Sequence, residues 1–451
     1  MTSVAVVGGG IAGLAAAWEL LGAGADVTVL EAGDRLGGRI RTGDVAGRPV
    51  DLGPDALLAR VPDALALCAE LGLEDELVHP AAEGAAIWSG GRLRPLPPGL
   101  VLGAPAGAGE LVALVRNGLV SPAGAARAAL DLVRPATRWP TDPTVGEVVG
   151  GRLGPEVHVR VVDPLLAGIH AGPSALLSAR SVAPQLAAAM TSRSLLLGLR
   201  ARRSGAARPG AGKAAVFASL RGGLGRLVER LEQELRAGGA TITLGAAVDR
   251  APVEGFDATV VAAPAPAAAA MVEEVAPDAA ASLRAVEYAS VVLAVLVYPA
   301  AALPAPLAGS GFLVPATENR LLTACSFGSA KWPHWAGPND LVLRVSAGRW
   351  GDDRALALGD DDLCAQLHDE LVAALGLREP PRLSVVTRYP EALPQYRSGH
   401  LARVERAEAA LAAGAPTVIL TGAAYRGLGI AACISQGRSA ARRAMTPGGQ
   451  T

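Results

Sequence analysis

The stretch VAVVGGGIAGLAAAWELLGAGADVTVLEAGDRLGGRIRT, residues 4–42, decides how the chain begins to fold. Val4 to Val7 is an apolar run of strand length, Ile11 to about Gly22 reads as a helix, and Val27 to Leu30 reads as a second strand. Strand, helix and strand within about 30 residues make a βαβ unit. Between the first strand and the helix, Gly8, Gly10 and Gly13 give G-x-G-x-x-G. With no side chain at Gly10, the backbone can approach a diphosphate, and the helix opening at Ile11 and Ala12 turns its positive end toward that charge. Glu31, followed by Ala32, closes the second strand, where a carboxylate can accept from both hydroxyls of an adenosine ribose. The same carboxylate repels a 2′-phosphate, so the expectation is FAD or NAD and not NADP.

Bulk properties narrow the class. The 451 residues carry a net charge of −1, which gives no overall pull toward nucleic acid or acidic membranes. The positive charge is almost all arginine, with Lys213 and Lys331 the lysines. Cys68, Cys325, Cys364 and Cys433 are widely spaced and match neither a zinc pattern nor a disulfide framework, so no metal is expected and reduced thiols are. No basic n-region precedes the first strand, which leads to the expectation of a cytoplasmic protein. The most apolar long stretch, Ala289 to Ala308, contains Pro299, Pro304 and Pro306 and reads as a strand followed by a proline loop, not as a membrane helix.

Further α/β pieces lie far along the chain. In RGGLGRLVERLEQELRAGGATITLGAAV, Leu224, Leu227, Val228, Leu231 and Leu235 share one helical face, Gly238 stops the helix, and Thr241 to Leu244 reads as a strand. Arg230/Glu234 and Glu232/Arg236 support its outer face at i,i+4. A strand in FDATVVAAPAPAA and another at Thr417 to Ala424 follow, the latter leading through glycines into a terminal helix that ends near Ala444. Between these pieces lie two insertions. The first, roughly Ala106 to Arg200, is mainly helical, with Ser121-Pro122 as N-cap and first helical residue. The second, roughly Glu287 to Arg406, mixes strands such as Val291 to Val297 and Leu341 to Val345 with proline turns. Residues 200–213, basic and glycine-rich, read as a solvated loop, with a lid over an anionic ligand as the alternative.

Beyond the acid, Gly37-Gly38-Arg39 resembles the GGR element of the amine oxidase-like flavoprotein superfamily. A glycine pair and a forked guanidinium suit a second clamp on a diphosphate, and the resemblance turns the expectation to FAD. Near the end, GAAYRGLGIAACISQGRSAA resembles the terminal motif of the protoporphyrinogen/coproporphyrinogen oxidase family, matching at Gly427, Gly429, Ile430, Cys433, Ile434, Gly437 and Arg438. VDLGPDALLAR, DPLLAGIHAGPSALLSARSVAPQL, SLRGGLGRLVERL and ALPQYRSGHLARV resemble internal segments of that family in order. His170 stands where the family commonly has tyrosine, and Pro173-Ser174 replaces its usual acidic residue.

The resemblance implies an α/β fold: a discontinuous Rossmann-like FAD-binding domain, an α+β substrate-binding domain and a mainly helical insertion. The implied FAD-binding parts are residues 1–85, 214–280 and 407–446. Residues 86–105 and 281–406 form the substrate domain, 106–205 the helical insertion and 447–451 a flexible tail. To the cofactor residues named above it adds Gly53, Pro54, Val248 and Gly422, and it places Gly429 and Ile430 at the flavin. It implies oxidation of coproporphyrinogen III in heme biosynthesis, with oxygen reoxidising the flavin and peroxide released; protoporphyrinogen IX is the alternative substrate. It allows transient contact with the next heme-pathway enzyme and peripheral contact with a membrane. The flavin carries the hydride, so no protein group is assigned a catalytic role. Arg60, just past the LGPD element, and His170 are the expected substrate residues, and Cys433 is expected to pack and not to react. An amine oxidase, a carotenoid desaturase or a non-catalytic tetrapyrrole-binding flavoprotein are the rival readings.

Overall fold

The computed structural model describes residues 1–206 and 215–446, which divide into two compact units. Residues 1–79, 215–287 and 400–446 make the first, and residues 80–206 and 288–399 the second. In the first unit, strands from distant parts of the chain pair side by side. They are β1 (Ser3–Val7), β2 (Asp26–Leu30), β3 (Thr241–Thr243), β4 (Ala258–Val261) and β5 (Val418–Leu420). Their order is β3-β2-β1-β4-β5 and every pairing is parallel. Val4, Ala5 and Val6 are wholly buried, which is why the central strand is an unbroken apolar run. Val7 lies opposite both Leu30 and Val261, and Val261 opposite Leu420. The four strands therefore end level, and the residues that follow them line one carboxyl edge, the side on which parallel α/β sheets bind ligands.

Four helices of this unit matter for the site: α1 (Ile11–Gly22), α2 (Pro62–Glu70), α3 (Gly225–Ala237) and α4 (Ile430–Ala444). The apolar face read for α3 is buried at Leu227, Val228, Leu231 and Leu235. On its outer side Arg230 meets Glu234 at 3.0 Å and Arg236 meets Glu232 at 2.9 Å. Two expected strands are shorter than read. β3 ends at Thr243 because the chain turns at Gly245 (φ +67°). β5 ends at Leu420 because Gly422 (φ +119°) takes a left-handed turn that extended backbone cannot hold.

The second unit carries a mixed seven-stranded sheet with the strand order Leu383–Pro394, Tyr288–Pro299, Asp340–Ala347, Leu322–Ser326, Gly311–Leu313, Ala86–Ser89 and Arg92–Pro95. The helix Asp360–Leu375 buries Leu363, Leu367 and Leu371 in this sheet's core. A helical layer with its own core runs from Ala108 to Ala206. Ser121 caps its second helix by accepting from Gly124 N at 2.9 Å, with Pro122 in the first turn, as read. The loop expected from residue 200 is corrected: residues 200–206 continue the helix Leu195–Ala206, because the leucine pattern runs on into arginines that form helix well. Residues 207–213 of that loop and the tail 447–451 lie outside the described residues. Among the described residues no helix is long and apolar enough to cross a membrane. The Ala289 to Ala308 stretch is strand, then a 3-10 turn at Ala300–Ala302, then loop.

Candidate functional site

The site grows from the carboxyl edge of the parallel sheet. Gly8 (φ +108°) donates to Leu30 O at 2.8 Å and turns the chain into α1. Gly10 is the N-cap of α1; no side chain caps it and no acidic residue occupies the first turn. A Cβ built on Gly10 would meet nothing within 4 Å, whereas one on Gly13 would lie 1.9 Å from Gly8 O. Gly13 therefore serves packing, and Gly10 leaves open space in front of free helix amides. Glu31 follows β2, where Gly9 N donates to its Oε2 at 2.6 Å and Gly33 N to its Oε1 at 2.7 Å. The carboxylate is thus fixed by one bond to each oxygen, and each oxygen keeps lone-pair capacity for a further donor. Ala32 is exposed beside it. Gly245 N and Ala246 N donate to Gly33 O and Glu31 O at 2.8 and 2.9 Å, which brings the chain leading to half-buried Val248 alongside.

The GGR element lies directly on the first glycine turn. Gly37 N donates to Gly9 O at 2.8 Å, and a Cβ on Gly38 would come within 3.2 Å of Gly10 Cα. Both glycines have positive φ, +97° and +58°, which a larger residue resists. Half-buried Arg39 acts on Cys433 in the first turn of α4. Burial pushes the Cys433 thiol up to about 12, with the Arg39 charge pulling less strongly the other way. The thiol stays protonated and packed, as read.

At the other end, Gly429 is the N-cap of α4, again without a side-chain cap or a first-turn acid, and a Cβ there would also meet nothing. Ile430 is buried behind it, and Gly422 is buried where the chain leaves β5. α1 and α4 each follow a strand of the same parallel sheet, so both amino-terminal ends open on the same edge. Their backbones touch: a Cβ on Gly437 would sit 2.2 Å from Ala12 O.

Sequence reasoning missed Asp51 and Thr42. Wholly buried Asp51 accepts from Leu224 N at 2.8 Å and from Thr42 Oγ1 at 2.6 Å, while Gly225 N donates to Thr42 Oγ1 at 2.9 Å. Together they satisfy the opening amides of α3 from a distant stretch of chain. The VDLGPD and SLRGGLGRL segments thus form one knot, which fixes buried Gly53 and half-buried Pro54.

Of the two substrate residues, Arg60 belongs to the first unit, exposed in the turn before α2. His170 belongs to the second, at the end of the helix Asp163–His170, with 4% of its surface exposed. Burial pushes its pKa down to about 4. Burial thus holds the imidazole in its neutral form, which can donate or accept a hydrogen bond. Its Nδ1 is buried without a hydrogen-bond partner among the described residues, and its ring lies 6.0 Å from that of Tyr396. Gln395, also missed, donates to His170 O at 2.8 Å and Leu393 O at 3.0 Å. Its Oε1 then fills the space where Gly172 lacks a side chain.

These residues fit FAD. Two uncapped helix ends and a pinned carboxylate follow strands of one parallel sheet, and at Gly10 and Gly429 there is room where a Cβ would project. A dinucleotide needs an anion site and a ribose acceptor, and a reducible ring gains from a second positive helix end. The fold and site define a Rossmann-like dinucleotide-binding oxidoreductase. The family model described as flavin containing amine oxidoreductase matches residues 11–445, and the chain belongs to this family, whose cofactor here is FAD. The coproporphyrinogen III oxidase of Mycobacterium tuberculosis (strain ATCC 25618 / H37Rv) is 37% identical over 458 residues, covering 98% of this chain and 96% of the relative. The protoporphyrinogen oxidase of Bos taurus is 32% identical, covering 98% of each. A solved protein from Exiguobacterium sp. 255-15 superimposes with a TM-score of 0.85 at 29% identity, again over 98% of both chains.

Proposed function

We propose that this flavoprotein oxidises coproporphyrinogen III to coproporphyrin III, in heme biosynthesis and in the cytoplasm. The observation that carries the reading is end-to-end similarity to coproporphyrinogen III oxidases in a chain with open helix ends at Gly10 and Gly429 and a pinned Glu31 carboxylate. When bound, FAD accepts hydride from the substrate and is reoxidised by oxygen. Over three turns the substrate loses three hydrides and three protons, six electrons in all, and three O2 become three H2O2. Gly8, Gly10, Ile11 and Ala12 would hold the diphosphate at the α1 end, which Gly13 packs in place, and Gly37, Gly38 and Arg39 would close over it. Glu31, flanked by Ala32 and Val248, holds the adenosine ribose. Gly53, Pro54, Gly422, Gly429 and Ile430 border the flavin, where the α4 end favours the anionic reduced ring by about 0.3–1 kcal/mol. In the first unit Arg60 pairs with a propionate; His170, in the second, is a separate candidate for hydrogen bonding to substrate. Brief contact with the next heme-pathway enzyme, and peripheral contact with a membrane, belong to the same proposal.

Protoporphyrinogen IX is the second reading, favoured by the Bos taurus relative. Aerobic turnover of the FAD-loaded protein on each porphyrinogen, with porphyrin fluorescence and peroxide followed together, decides between them. Higher kcat/KM on coproporphyrinogen III, with Arg60→Ala raising KM more for this four-propionate substrate than for the two-propionate one, is expected. Activity on neither substrate would return the chain to the amine oxidase, desaturase and binding-protein readings.

A further inference from the structure

Gly437 and Arg438 belong to the carboxyl-terminal motif, yet both sit in the middle of α4, away from its open end. Gly437 makes the close crossing with Ala12. A contact without side chains fixes how near two helices come, but leaves one free to roll and tilt on the other. Arg442 of α4 already reaches Glu19 of α1 at 2.8 Å, but from a 68% exposed side chain; Arg438, 13% exposed, adds a shielded tie. Its guanidinium meets Glu70 in fork geometry, Nη1 to Oε1 at 2.8 Å and Nη2 to Oε2 at 2.6 Å. Glu70 is the last residue of α2, and its Oε2 also accepts from Trp18 Nε1 of α1 at 2.9 Å. Arg438 Nε adds a longer approach to Glu19 of α1 at 3.9 Å. One carboxylate thus ties three helices at a point beside the α1–α4 crossing. Bidentate pairs of this kind restrict orientation as well as distance.

We propose that Arg438 is a positioning residue that, through Glu70 and Trp18, locks the roll of α4 against α1 and so sets the reduction potential of the bound flavin. This rests on the reading that FAD spans the two open helix ends. A helix end acts on charge only within about one turn, so a small rotation of α4 changes how well its amides serve the reduced ring. The arginine itself touches no cofactor.

The test compares wild type, R438Q, E70Q and the double variant for FAD dissociation constant and flavin midpoint potential. Far-UV circular dichroism and thermal unfolding of the apoproteins report folding. Each single variant is expected to hold FAD about tenfold more weakly and to lose three- to tenfold of its preference for reduced over oxidised flavin, about 14–30 mV lower for a two-electron couple. The double variant is expected to be no worse than either single one, since both changes break the same link. R438K, which keeps the charge and loses the fork, is expected to fall between. Unchanged potential and affinity in folded variants, or additive losses, would overturn the proposal while leaving the cofactor reading intact. Should R438Q fail to fold, E70Q on the partly exposed α2 carries the same comparison. A wild-type protein that takes up no FAD would instead overturn the cofactor reading on which this rests.

Discussion

His170 ends its helix with 4% of its surface exposed and an Nδ1 that meets no partner among the described residues, and burial holds its pKa near 4. In the unfolded chain the same ring titrates near 6.5, so between the two values the unfolded state binds the extra proton. The stabilising contribution is therefore complete above about pH 6.5 and is lost as pH falls toward 4. A shift of this size corresponds to as much as about 3 kcal/mol. His170→Phe, which keeps an aromatic ring and cannot titrate, is expected to lose markedly less stability than wild type between pH 7.5 and 4.5 in urea unfolding. Parallel losses in both proteins would mean that the ring does not feel its burial. The sequence pointed to His170 through its segment, but nothing in LAGIHAG says that the ring is buried and neutral. That follows from packing by Tyr396 and Gln395, more than 200 positions away.

At the level of the element, the two glycines of the first turn divide fold from function. Gly10 has ordinary extended backbone (φ −72°) and open space around a Cβ, so Gly10→Ala is expected to leave apoprotein stability within about 0.5 kcal/mol of wild type. The added methyl would stand where the diphosphate approaches, and FAD affinity is expected to fall at least tenfold. Gly13→Ala forces its methyl against Gly8 O and is expected to cost about 1–3 kcal/mol of stability. Thermal unfolding of the apoproteins and FAD titration separate the effects; equal stability losses in both would contradict the division. The turn, its acid and α1 were legible because their spacing is local. The N-terminal cap of α3 was not, because Asp51 and Leu224 are 173 positions apart. The Arg438–Glu70 fork, 368 positions apart, was hidden for the same reason. Motif resemblance marked these stretches without telling which groups meet.

For the whole molecule, the sequence told that a nucleotide domain is interrupted twice, since the helix of residues 225–237 and the strand at residues 418–420 carry the same α/β pattern as the first 30 residues. The resemblance joined residues 86–105 to 281–406 but set 106–205 apart as an insertion; that residues 80–206 and 288–399 make one compact unit was not legible, because their helices and strands share no repeat that marks them as neighbours. Each unit has its own core: Leu14, Leu20, Leu227 and Ile434 lie in the first, and Leu114, Val161, Leu296 and Leu343 in the cores of the second. Separate cores are what allow sub-global opening with different free energies. FAD bound at a hundredfold excess over its dissociation constant stabilises the state that binds it by about 2.7 kcal/mol, and every proposed cofactor residue lies in the first unit. Hydrogen exchange with and without FAD is therefore expected to show added protection in β1, β4 and α4, and much less in the strands Tyr288–Pro299 and Asp340–Ala347. Glu31→Ala, which removes the ribose acceptor, is expected to reduce that gain at equal FAD concentration. Equal protection of both sets of strands would mean that the two cores open as one cooperative body. Protection confined to the second unit would remove the cofactor from the cradle altogether.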